Sequence, residues 1–169
     1  MLNISTFSKS IDFLEEESQK CIISSQLNIY LFQYGGIMKS TIEFRVRYQE
    51  TDKMGIVHHS VYLIWFEVGR TEWLREQGFT YRECEEKGLL LPVVESGVKY
   101  LNSAKYDDLI SVETSFIPEK NASFLFEYVA RLGKDGLILA TGFTRHVCVT
   151  DNNRINKEAT RYLKEILNK

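Results

Sequence analysis

The stretch SVYLIWFEVGRTEWLREQG, residues 60–78, constrains the fold more than any other part of the chain. Apolar side chains surround its first turns almost completely, Ser60 is placed to cap its start and Gly78 to end it, so it reads as one long helix. A helix apolar on so many sides belongs inside a protein rather than on its surface. Something must wrap it, and the flanking sequence supplies strands. TIEFRVRY, residues 41–48, alternates Ile42, Phe44 and Val46 with polar neighbours, the period-two signature of a half-buried strand. Downstream, LLLPVVESGVKYL, DLISVETSFI, ASFLFEYVARL and LILATGFTRHVCVT are rich in β-branched and aromatic residues, and the turn signals PEKN and GKDG separate the last three. These four read together as an antiparallel meander. TYRECEEKG reads as a short helix between Thr80 and Gly88, and the tail places Ile155, Ala159, Tyr162, Leu163, Ile166 and Leu167 at helical spacing as an amphipathic closing helix. The order is strand, long helix, four strands, helix: an α+β layer in which the sheet wraps a single buried helix.

Composition bounds the partners. The chain has 169 residues, 44% of them hydrophobic, with a formal net charge of -2, which fits one soluble domain with a real core. Without a basic patch, neither nucleic acid nor an anionic membrane surface is expected as the main partner. Cys21, Cys84 and Cys148 are odd in number, widely spaced and outside any CxxC pair, so they read as free thiols in a reducing cytoplasm rather than a disulfide framework or zinc site. The first 37 residues stand apart: they carry the run Glu15, Glu16, Glu17, lack arginine, and hold no uninterrupted apolar stretch of about 18 residues, so neither a leader peptide nor a membrane span is expected there. YGGI lies immediately before Met38, and two glycine codons ahead of an ATG could be a ribosome-binding site read as protein. Residues 1–37 are therefore either an untranslated stretch or a loosely attached extension, and the domain is expected to span 38–169.

YQETDKMGIVHHSVY, residues 48–62, joins the first strand to the long helix. The chain has no GxSxG, HExxH, Walker or GxGxxG motif, and its histidines and cysteines do not fall at metal-ligand spacing. The default is a site with no metal and no cofactor. Asp52 is then the best-placed reactive group, because it precedes a buried helix, where a carboxylate and helix N–H groups can face one point in space. That arrangement suits carbonyl chemistry.

The segment YQETDKMGIVHHSVYLIWFEVGRTEWLR resembles the aspartate-bearing motif of the 4-hydroxybenzoyl-CoA thioesterase-like branch of the hotdog-fold acyl-CoA thioesterases. Tyr48, Thr51, Asp52, Gly55, Val57, His59 and Tyr62 match the pattern, and VKYLNSAKYDDLISVET is similar to the family's next block. The resemblance spans residues 40 to about 150. It implies a hotdog fold, a five-stranded antiparallel sheet around a long central helix, in a homodimer or homotetramer with acyl-CoA at the subunit interface. It also implies that Asp52 is catalytic, either as nucleophile on the thioester carbonyl or as the base that activates water. The His59 backbone N–H at the helix start would polarise the thioester oxygen.

Duller roles compete with each assignment. An isolated loop aspartate is usually a turn or capping residue. Gly55 allows a tight turn that also serves a substrate site, and Tyr62 reaches the substrate pocket or fills core. The His59 side chain orients substrate or Asp52, or only satisfies backbone groups. Glu67, set among Trp65, Phe66 and Val68, is a rival carboxylate whose structural role would be an ion pair with Arg70 or Arg45. His58 has no role here, Trp65, Phe66 and Trp73 read as core or dimer interface, and Lys99, Lys105 and Arg131 as solvated charges. The expected function is hydrolysis of an acyl-CoA thioester to acid and coenzyme A, without membrane insertion. The alternatives are a thioesterase acting on acyl carrier protein, or an acyl-CoA-binding protein without turnover.

Overall fold

The computed structural model describes residues 38–167 apart from 79, 87, 121 and 151, and apart from the side chain of Ile166. The expected extension 1–37, with Cys21 and the acidic run, lies outside the described residues, as does the Ile166 side chain assigned to the closing helix.

Five strands, β1 (Lys39–Arg45), β2 (Val93–Tyr100), β3 (Leu109–Pro118), β4 (Phe124–Leu132) and β5 (Ile138–His146), form one sheet in the order β1-β3-β4-β5-β2. Every pairing is antiparallel. Helix α1 (Val61–Glu76) packs on one face of the sheet against β1, β3 and β4, and α2 (Tyr81–Glu86) lies between α1 and β2 in the chain and α3 (Lys157–Leu167) after β5. The hotdog arrangement of a long helix held by a five-stranded antiparallel sheet is what the chain adopts.

The meander holds only for β3, β4 and β5; β2 lies beyond β5 at one edge, and β1 beside β3 at the other. The reason is the segment between β2 and β3, which crosses to the end of β1 instead of turning back. Val57 N–H donates to the Ala104 carbonyl at 2.9 Å and Val46 N–H to the Asp108 carbonyl at 3.0 Å, so β3 begins next to β1.

The period-two pattern of the strands does the packing. Phe116, Phe124, Phe126, Tyr128 and Ala130 face inward against Trp65, Phe66, Trp73 and Leu74 of α1, all buried. Phe66 stacks on Tyr128 with centroids 4.5 Å apart, and Trp73 meets Phe116 and Phe126 at 5.3 and 5.4 Å. This close seating needs Gly142 on β5, where a Cβ would stand 2.5 Å from the Phe66 ring and 2.7 Å from the Gly97 carbonyl oxygen.

Other expectations change in detail. Helix α1 ends where Gly78 takes φ +82°, as expected. It is not buried all round, however: Leu63, Ile64 and Val68 are 38%, 51% and 43% exposed on the face turned away from the sheet. Ser60 makes no side-chain cap, because its hydroxyl pairs with the His58 Nδ1 at 2.8 Å instead. Thr80 does cap α2, exchanging bonds with Glu83. In α3, Leu163 and Leu167 are buried, whereas Tyr162 is exposed and Ile155 lies before the helix, also exposed. Cys84 and Cys148 are buried. No helix among the described residues is long and apolar enough to cross a membrane.

Candidate active site

The site grows from the loop between β1 and α1. A short 3-10 turn, Tyr48–Glu50, follows β1 and sinks Glu50 into the protein at 5% exposure. One Glu50 carboxylate oxygen accepts the Arg47 backbone N–H at 2.7 Å, and the other accepts the Arg47 guanidinium at 2.7 and 3.0 Å and the Trp65 indole N–H at 3.2 Å. Burial alone would raise the Glu50 carboxyl, but the Arg47 and Trp65 bonds outweigh it and hold the group below its ordinary value. Glu50 thus ties the start of the loop to α1, and its carbonyl takes the His58 N–H at 2.9 Å, tying the end as well.

Between these anchors the loop folds on Asp52. Its N–H donates to the Ile56 carbonyl and its carbonyl accepts from Gly55 N–H, both at 2.9 Å. Gly55 takes φ +74°, a conformation that costs glycine little. The Asp52 Oδ1 accepts the Met54 N–H at 2.7 Å, an Asx turn that orients the carboxylate. Its Oδ2 has no hydrogen-bond partner among the described residues.

A cleft of about 160 Å³ opens here, with Asp52, Met54, Val57, His59, Tyr62, Tyr100, Asn102 and Ser103 on its walls. The structure therefore brings Asp52, His59 and Tyr62 together around one space, with Gly55 in the turn that carries Asp52. Tyr62 is 3% exposed, its ring 4.9 Å from Trp65 and 5.3 Å from Tyr100. Burial pushes its phenol up, against a hydrogen bond at the Ala104 backbone. The His59 N–H at the start of α1 has no partner among the described residues, while its carbonyl accepts the Tyr100 hydroxyl at 2.9 Å. Residues bearing a free carboxylate oxygen and an unpaired helix-start N–H thus line one cleft, and acyl transfer uses such groups.

Glu67 is placed elsewhere, exposed on α1, and the expected ion pair does not form. Arg70 is buried and donates to the Tyr81 hydroxyl, and Arg45 donates to the Asp107 carbonyl. Among the described residues no group of three or more His, Cys, Asp or Glu side chains could hold a metal ion. Sequence reasoning missed Glu50, Tyr100 and Asn102. Glu50 had a local signal, an acid two residues before Asp52 at the end of an alternating strand, whereas Tyr100 comes from 41 residues beyond His59.

The family model of the thioesterase-like superfamily matches residues 46–167. The acyl-CoA thioesterase YbgC of Haemophilus influenzae is 41% identical over 106 residues, covering 62% of this chain and 76% of that one. YneP of Bacillus subtilis is 47% identical over 72 residues, and the chain spans 52% of that protein's length. A crystal structure of DHNA-CoA thioesterase from Staphylococcus aureus superposes with a TM-score of 0.68 at 30% identity, covering 75% of this chain and 85% of that one.

Proposed function

This chain belongs to the thioesterase-like superfamily, and we propose that residues 38–169 hydrolyse an acyl-CoA thioester to a carboxylic acid and coenzyme A, with Asp52 as the catalytic carboxylate. The observation that carries this reading is that Asp52, whose Oδ2 is unpartnered, and His59, whose N–H is unpartnered, line the same cleft. The names of YbgC and of the Staphylococcus aureus enzyme, which specify CoA thioesters, support the choice of substrate.

In the general-base route, Asp52 takes a proton from water, and the resulting hydroxide attacks the thioester carbonyl. The His59 N–H, aided by the helix dipole, donates to the oxyanion of the tetrahedral intermediate. Collapse breaks the C–S bond, and the protonated Asp52 returns its proton to the CoA thiolate. In the nucleophilic route Asp52 itself attacks, CoA thiolate leaves, and water cleaves the mixed anhydride. Gly55 serves both routes by shaping the turn that presents Asp52, and Tyr62 forms the wall against which the acyl group rests. The exposed Leu63, Ile64 and Val68 on α1 and Val93 and Val94 on the edge strand β2 support assembly as a homo-oligomer.

The test is thiol release from short, long and aromatic acyl-CoAs by wild type and Asp52→Asn. Asparagine can still accept the Met54 N–H, so the turn survives while the basic oxygen is lost. A fall of about 100-fold or more in kcat is expected. An undiminished rate would remove Asp52 from the chemistry and make Glu67 the next carboxylate to substitute. Turnover of acyl carrier protein thioesters alone would replace CoA as the carrier.

A further inference from the structure

We infer that Tyr100 is a positioning residue of this site: its hydroxyl fixes the His59 backbone so that the His59 N–H stays aimed at the place a thioester oxygen would occupy. The inference rests on the acyl-thioester reading above.

His59 precedes Ser60 and the first helical residue Val61, so its peptide groups fall outside the helical ladder and need other anchors. Those anchors surround the free N–H. The peptide plane that carries it also carries the His58 carbonyl, which accepts the Val61 N–H at 3.0 Å. One residue earlier, the His58 N–H is held by the Glu50 carbonyl at 2.9 Å. The plane on the other side carries the His59 carbonyl, and the Tyr100 hydroxyl holds it at 2.9 Å. The first two anchors are local to the loop. The third comes from the sheet, because Tyr100 is the last residue of β2 and is paired across to Ala140 of β5. Tyr100 therefore references the His59 backbone to the rigid part of the molecule.

The placement of the ring makes this a property of the site rather than of the fold. Tyr100 is 46% exposed, and its ring lies edge-on to Tyr62 at 5.3 Å and to His59 at 6.5 Å, on the wall of the same cleft. An exposed carbonyl that loses the hydroxyl can turn to water, so the fold tolerates the loss. Catalysis is less tolerant: a misplacement of about 1 Å in a reacting group costs on the order of 100-fold in rate.

Tyr100→Phe keeps the ring and removes only the hydroxyl. In thiol-release assays on the acyl-CoA that wild type hydrolyses best, kcat should fall about 10-fold or more while KM stays within about twofold. The pH profile should keep its wild-type midpoint. In parallel, the His59 amide 1H–15N resonance should shift in the variant. A kcat within about twofold of wild type overturns the inference, and so does a loss carried mainly by KM, which would make Tyr100 a substrate-binding residue. If wild type hydrolyses no acyl-CoA, the activity reading fails first. The His59 amide then decides alone, and an unmoved resonance in Tyr100→Phe refutes the positioning role.

Discussion

His146 offers a quantitative test of the core. It ends β5 with no solvent exposure, Nδ1 at 3.1 Å from the Leu91 carbonyl and Nε2 at 2.9 Å from the Thr144 hydroxyl. The same hydroxyl meets the Tyr128 hydroxyl at 2.6 Å, and the buried Arg70 guanidinium points to it from α1. Burial pushes the imidazole from 6.5 down to about 4, and the Arg70 charge adds to the shift, against hydrogen bonds at Leu91 and Pro92. The unfolded chain thus takes up a proton through the window from 6.5 to about 4 while the folded chain does not. Stability from this residue is complete above the upper value and is lost as pH falls to the lower one. That gap corresponds to about 3 kcal/mol in full, of which about 2 kcal/mol disappears between pH 8 and pH 5. Urea unfolding at those two pH values, followed by the fluorescence of the buried Trp65 and Trp73, should show wild type losing about 2 kcal/mol more than His146→Gln. Glu50 and Glu127, whose carboxyls are also perturbed, are common to both proteins and cancel in the comparison. Parallel pH dependence, within about 0.5 kcal/mol, would mean that the buried imidazole titrates as freely as in the unfolded chain and would refute the argument.

Two further substitutions probe how the site is held. Glu50→Gln removes the charge from the bonds to Arg47 and should cost about 1.5 to 3 kcal/mol in urea unfolding at pH 7. Because the Glu50 carboxyl is held low, its contribution is present above the ordinary carboxylate range and fades as pH falls through the folded value, so wild type and variant should converge in acid. Gly142→Ala puts a methyl 2.5 Å from the Phe66 ring and 2.7 Å from the Gly97 carbonyl oxygen, and should destabilise by about 1 to 3 kcal/mol. An unchanged melting temperature in that variant would show that α1 can lift from β5 at no cost.

What could be read from the sequence follows from the length scale of each interaction. The strand around Ile42 and Phe44 and the helix stopped before Gly78 are written in local periodicity and a stop residue, and both form, although the strand ends at Arg45, short of the expected Tyr48. The site loop is legible for the same reason: Asp52, Met54, Gly55 and Ile56 bond to one another within five residues, so the pattern is the turn. Strand order is not local. Nothing in VVESGVKY distinguishes a strand beside β3 from one beyond β5; that choice rests on the bonds from Val57 to Ala104 and from Val46 to Asp108. The apolar face of α1 shows a second limit. Composition marks Leu63, Ile64 and Val68 as residues to be covered, but does not say whether the sheet of the same chain covers them, and it does not. The cleft combines both cases. Its carboxylate and its N–H lie seven positions apart in one motif, whereas the hydroxyl that holds the His59 carbonyl arrives on the edge strand that sequence reasoning had placed in a meander. Misplacing β2 and missing Tyr100 are therefore one error, since the crossing that sends β2 to the edge also sets its last residue beside His59.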